Sequence, residues 1–314
     1  MFKKLLGWAS PAGPKARLSV LIFHRVLPEE DPLFPDEMHA RRFDELCGWL
    51  ADWFNVLPLD QAVQRMKAGT LPARAASITF DDGYADNHDV AMPILVRHGL
   101  TATFFIATGF LDGGRMWNDT IIETIRACRQ SRLDLSTLGM GSHRLGTITD
   151  QQAAITSLLD QIKYRPLAER VTVTEQLAEV AKVSLPQNLM MTSVAVKAMR
   201  QAGMQIGAHT VSHPILARLT DDHAREEIAS SKRFLEELLG ERISMFAYPN
   251  GKPGEDYSPQ SVEVVRSLGF DTAVSTRWGF ASMGDDPLQI KRFTPWDQTR
   301  LRFACRMLSN LRRS

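Results

Sequence analysis

The chain has 314 residues, of which 44% are hydrophobic and 23% charged, enough apolar material for one sizeable core. That composition excludes a wholly disordered, collagen-like or disulfide-scaffold protein. Lys and Arg total 37 against 36 Asp and Glu, a formal net charge of +1, so no global basic field exists to gather nucleic acid. Cys47, Cys128 and Cys305 lie far apart with no CxxC pair, which supports neither a zinc ribbon nor a disulfide framework. They read as small buried hydrophobes.

Residues 1–10 open like a signal peptide, but the apolar run is shorter than the roughly 7–15 residues such a segment needs. Pro11, Pro14, Lys15 and Arg17 then interrupt it. No stretch reaches the roughly 18 apolar residues of a transmembrane helix. The expectation is a tail over 1–17 and a cytoplasmic protein. This segment and the basic stretch 301–308 read either as ordinary terminal helices or as amphipathic contacts with the inner membrane face.

In chain order, 18–24 is a predicted strand. A helix follows at 41–54, with Phe43, Leu46, Leu50 and Phe54 on one face. A strand at 76–80 runs into Asp81-Asp82-Gly83, a helix covers 87–98 and ends at Gly99, and 102–107 is another strand. Residues 111–189 break this rhythm. They hold no convincing strand, only helical patches such as 119–130 and 151–162, and read as a mostly helical insertion within one domain spanning 18–296. Strand, helix, strand, helix and two late strands follow at 205–208, 221–239, 244–248, 258–268, 270–275 and 288–293, with Gly240 closing the long helix. A basic helix is predicted over 297–314. The alternation is the signature of βα units.

Three blocks carry chemistry. Thr79-Phe80-Asp81-Asp82-Gly83 crowds two carboxylates at a strand end, which costs energy unless a cation or proton lies between them, although Asp-Gly is also a common turn. His209-Thr210-Val211-Ser212-His213-Pro214 sets two imidazoles four residues apart, either within reach of one metal or simply at the surface. Asp82, His209 and His213 together make a two-His-one-carboxylate set with open positions, suited to a hydrolytic metal that activates water. Phe246-Ala247-Tyr248-Pro249-Asn250-Gly251 either aims a backbone N–H into a pocket or is a plain turn.

In this order, each after a strand, the blocks resemble those of the polysaccharide deacetylases, carbohydrate esterase family four. TFDDG is similar to that family's first motif, HTVSH to its second and AYPNG to a variant of its third. The resemblance spans roughly 18–296 and implies an α/β fold, a distorted (β/α)7-like barrel with its site at the C-terminal strand ends. It further implies a divalent cation on Asp82, His209 and His213, zinc first, with cobalt, nickel, manganese and iron as alternatives. Asp81 is then the general base, the Asn250 N–H helps hold the oxyanion, and the reaction is hydrolysis of an N-acetyl group on a sugar. The partner it implies is an amino-sugar glycan or glycolipid, with no nucleic acid and no inferable protein partner.

Two departures stand out. Ala247 occupies the place of the third motif's opening Arg, which in the family pairs with the base. Residues 288–293 lack the late His that serves as acid, and leave Lys291 as a weak substitute. His24, at the end of the first strand, is similar to the acid of the exopolysaccharide branch and is assigned that role against the plain alternative of a structural histidine. Arg25 or Arg292 is assigned to orient Asp81. Trp117, Trp296, Tyr248, Arg25 and Arg292 are candidate substrate contacts. Two rival readings are an amide or formyl hydrolase on a lipid-linked sugar or small cyclic amide, and a carbohydrate-binding protein without catalysis.

Overall fold

The β-rich runs line up side by side. In chain order the strands are β1 (Arg17–Phe23), β2 (Asn55–Val56), β3 (Ala75–Phe80), β4 (Thr103–Ile106), β5 (Arg132–Asp134), β6 (Ser142–Arg144), β7 (Gln205–Ala208), β8 (Met245–Ala247), β9 (Thr272–Val274) and β10 (Ala281–Ser282). They are seen in a computed structural model that describes residues 2–311. The chain divides into two compact units, one holding residues up to 29, 36–112 and 191 onward, the other holding 30–35 and 113–190.

In the first unit β1, β3, β4, β7, β8 and β9 run parallel in that order, with β2 beside β3 and β10 antiparallel on β1. Residues 288–293, predicted as a strand, join the two ends through single bridges instead. Ile290 accepts from Ser275 N and donates to Ala273 O, both at 2.9 Å, while Phe293 donates to Val20 O and accepts from Ile22 N, both at 3.0 Å. Between these bridges Arg292 N turns away to Arg277 O, so no regular ladder forms. This seventh segment completes a distorted (β/α)7-like barrel.

Strand alternation separates two cores. Phe23, Ile78, Phe80, Phe104, Ile106 and Phe246 pack on one side with helices Ala40–Trp53, Met92–Arg97, Asp221–Leu239 and Pro259–Ser267. Val20, Phe105, Met245, Ala247 and Ile290 pack on the other with Leu59, Val63 and Met66 of helix Leu59–Lys67. Gly207 makes room there: a Cβ would lie 2.5 Å from the Phe105 ring. The helix expected at 87–98 begins as a wide turn, Asn87–Ala91, before Met92–Arg97. Pro93 has no N–H to give to a regular ladder, which the wider turn accommodates.

Both ends of the described chain are helical. Leu6 of Phe2–Ala9 and Phe303 and Met307 of Arg300–Asn310 join the first core. Arg312, Arg313 and Ser314, part of the predicted basic helix, lie outside the described residues. Cys47 and Cys128 are buried as expected, but Cys305 is exposed, because it sits on the outer face of the last helix.

The second unit gathers helices Trp117–Ala127, Ile148–Ile162 and Leu167–Ala181 around Ile121, Ile125, Ile155, Leu158 and Leu177. Its short hairpin β5–β6 corrects the expectation of no strand. Strands of three residues are too short to display a period of two, and of β5 Leu133 alone is buried. Trp117 packs at this core beneath the Arg170 guanidinium, 5.3 Å from its ring.

Candidate active site

All three sequence blocks leave the C-terminal ends of parallel strands: 81–83 after β3, 209–214 after β7 and 248–251 after β8. They carry unusual backbone strain. Asp82 (φ +78°), Thr210 (+66°), His213 (+51°) and Asn250 (+58°) all occupy the left-handed region. Such a conformation costs a non-glycine residue on the order of 1–3 kcal/mol and persists only where surroundings over-determine it.

The surroundings here are specific. Thr108 N and Gly109 N donate to the carbonyls of Thr210 and Val211 at 3.1 and 2.9 Å. A Cβ on Gly109 would fall 2.7 Å from the Val211 carbonyl, so only glycine lets the loops approach. From helix Asp221–Leu239, Glu227 accepts from Val211 N and Ser212 N at 2.9 Å each and from Ser212 Oγ at 2.6 Å. Thr210 Oγ1 accepts from His213 N at 3.1 Å. After β8, Thr276 Oγ1 donates to the Asn250 carbonyl at 2.8 Å, and a Cβ on Gly251 would clash with Thr276 at 2.9 Å.

These loops bring Asp82, His209 and His213 together. One donor atom of each lies within 4.8 Å of the others. Asp82 Oδ1 is buried without a hydrogen-bond partner and faces His209 Nε2 at 3.4 Å and His213 Nε2 at 3.5 Å. Donors about 2.0–2.1 Å from a tetrahedral zinc stand about 3.3 Å apart, so the residues fit a divalent cation. His209 Nδ1 lies 2.7 Å from the Ala247 carbonyl, which fixes the proton there and turns Nε2 toward Asp82.

The electrostatics favour ligand forms at two of the three positions. Burial, the largest influence, pushes the Asp82 carboxyl up, but His209, His213 and His24 outweigh it and hold it below the ordinary range. Burial pushes His213 down to about 4, so it is neutral at pH 7. His209 is also desolvated, yet Asp82 and Asp81 together raise it. A proton and a cation therefore compete for His209 Nε2.

Asp81, one residue away, is held differently. Arg292 is fully buried and donates Nη1 to Oδ1 at 2.7 Å and Nη2 to Oδ2 at 2.6 Å. Arg292 is itself fixed by Thr79 Oγ1 at 3.1 Å and the Ser275 carbonyl at 3.0 Å. Burial again pushes Asp81 up, but the Arg292 charge, His209 and the Arg292 hydrogen bonds hold it below the carboxylate range. Both Asp81 oxygens keep a lone-pair direction free of Arg292.

His24 is exposed at the end of β1, close enough that a positive charge on it would lower Asp81, Asp82 and His213. Its carbonyl accepts from Asn87 Nδ2 at 2.9 Å. Arg25, offered as an orienter of Asp81, instead gives Nε to buried Asp86 at 2.8 Å and lies over the Tyr84 ring at 4.6 Å. Asp86 also takes Val26 N at 3.0 Å, so Arg25 and Asp86 brace the turn that carries His24.

The remaining candidates separate. Tyr248 is buried, stacked on Tyr257 at 3.9 Å, with its hydroxyl donating to Leu288 O at 3.1 Å, and presents nothing to a substrate. Trp296 is 52% exposed beside Trp278. Lys291 Nζ lies 3.7 Å from Asp285. Glu227 and Asp86 are the functional supports that sequence reading missed. No motif marks either, and each acts through partners on another element.

The model of a family described as polysaccharide deacetylase matches residues 68–163 and 173–273. YxkH of Bacillus subtilis (strain 168) is 21% identical over 277 residues, covering 88% of this chain and 70% of YxkH. Among solved structures, IcaB from Ammonifex degensii superposes with a TM-score of 0.62 at 19% identity, over 97% of this chain and 99% of that one. The Streptococcus pyogenes deacetylase PplD, solved in complex with acetate, does so with 0.60 at 20% identity, over 89% and 92%. At such identities the two superpositions speak for the fold, and the motif-bearing match for descent: the chain belongs to the polysaccharide deacetylase family.

Proposed function

We propose that the chain is a metal-dependent N-deacetylase acting on an amino-sugar glycan or its lipid-linked precursor. The observation that carries this is a three-donor cradle, Asp82, His209 and His213, in which Asp82 Oδ1 is buried without a partner, next to a second carboxylate paired with Arg292. A divalent cation there, zinc first among the alternatives, supplies Lewis acidity toward a water and an acyl carbonyl. Asp81 takes a proton from the attacking water through the lone pairs that Arg292 leaves free. The water oxygen bonds to the acyl carbon, the C–N bond breaks, and His24 gives a proton to the departing nitrogen. The products are acetate and a free amino sugar. The Asn250 N–H donates to the developing oxyanion, with the strained turn fixing its direction.

Residues 18–296 form the catalytic domain in this reading, with 111–189 inserted. The enzyme works in the cytoplasm on precursors, its terminal segments resting on the inner membrane face. Among the described residues no helix is long and apolar enough to cross a membrane. The test is acetate release from an N-acetylglucosamine oligomer, with chelator and with zinc restored. Zinc-restored acetate is the expected result. A zinc-loaded protein that releases none overturns the N-acetyl assignment.

A further inference from the structure

A second cleft, about 660 Å³, lies in the first unit between the segment that follows Arg292 and the last helix. That volume is in the range of small-molecule sites. One wall is aromatic: Trp278 and Trp296 have ring centroids 5.7 Å apart, tilted by 35°. Arg306 lies over both rings, at 5.9 and 5.5 Å, and pairs with Asp297 through both nitrogens of its fork. Gln298 and Arg302 add exposed polar groups. Asn310 also lines the cleft, and its amide nitrogen and oxygen are both buried with no hydrogen-bond partner among the described residues. A buried carboxamide with neither atom bonded calls for an explanation.

We propose that this cleft is a remote subsite holding a pyranose residue of the glycan. It rests on the deacetylase reading for the identity of that glycan. The C–H face of a pyranose is apolar and flat enough to lie on indole rings, while its hydroxyls and acetamide project to the sides. Gln298, Arg302 and the outer edge of Arg306 present polar groups at those sides. The placement suits one chain reaching both sites. Trp296 is four residues beyond Arg292, and four residues span at most about 14 Å. Arg292 itself holds the Asp81 base.

Cys305 makes the proposal testable without turnover, because it lines the cleft and is the exposed thiol of the three. Full-length protein is treated with chelator, mixed with N-acetylglucosamine hexamer, and alkylated with iodoacetamide. Cys305 modification is read by mass spectrometry. Acetate release by the zinc-loaded protein is followed in parallel. Saturating hexamer is expected to slow Cys305 alkylation at least threefold. Trp296→Ala is expected to need about tenfold more hexamer for that protection and to raise KM about tenfold, with kcat within twofold. Trp296→Phe should recover part of both. Equal alkylation rates with and without hexamer in wild type overturn the subsite, whatever the acetate assay gives. So does protection that Trp296→Ala leaves intact. Protection without acetate release keeps the subsite and removes the deacetylase reading instead.

Discussion

Replacing Arg292 with Met removes the charge that holds Asp81 while keeping most of the side-chain volume. Four hydrogen bonds go with it, two of them charge-assisted contacts to Asp81 at 2.7 and 2.6 Å. Asp81 is 3% exposed, so water cannot take over. Breaking one side of a buried pair leaves an uncompensated charge and costs about 3–5 kcal/mol. A domain of ordinary stability has about 5–15 kcal/mol in total. The cost should largely vanish when Asp81 is neutral. In an Asp81→Asn background, Arg292→Met should therefore cost about 2–3 kcal/mol less than it does alone. The pH dependence gives a second reading. In wild type Asp81 is depressed in the fold, so its contribution is present above the unfolded value and is lost as pH falls through the folded one. In Arg292→Met, burial is opposed by His209 and His24 alone, so the carboxyl rises relative to wild type and its protonation costs the fold less. The stability gap between the two proteins should thus narrow from pH 7 to pH 5. Urea unfolding of chelator-treated proteins at both pH values measures all of this. A cost below about 1 kcal/mol, an equal cost in both backgrounds, or a gap that widens on acidification would refute the argument.

Glu227→Ala removes the three contacts that hold the loop between His209 and His213. Zinc affinity by competition with a chelating dye should fall about 10–100-fold, and an unchanged affinity means the loop is pre-formed without it. His24→Ala should lower kcat about 10²–10⁴-fold with zinc content retained. A normal kcat moves the acid role to another group, Lys291 being the first to try.

The parts of this protein that were legible in its sequence are those in which cause and effect are close along the chain. β7 and helix Asp221–Leu239 fall at their predicted bounds because local signals mark them, including Gly240 in the left-handed cap at φ +68°. The cradle was legible because each block carries its donors within five residues and leaves a strand end. Glu227 was not, since it meets Val211 from 16 residues away on a helix full of other acids. The hairpin β5–β6 and the single-bridge closure at 288–293 lack the repeating pattern that periodicity detects.

Arg292 shows the limit most clearly. Chain position left Arg25 and Arg292 equal, because Arg25 follows the predicted strand 18–24 and Arg292 lies near the end of 288–293. Burial and partners separate them: Arg25 is taken by Asp86, while Arg292 lies fully buried against Asp81. Ala247, standing where the family's third motif carries its arginine, looked in sequence like a missing part. A buried carboxylate needs a guanidinium within bidentate reach, but nothing in that requirement names the strand that supplies it. In a closed barrel β8, β9 and the 288–293 segment are successive staves, so an arginine two staves along reaches the same carboxylate. A site whose strand ends converge can therefore keep its chemistry while its motif empties, and a vacant motif position is weak evidence that catalysis has been lost.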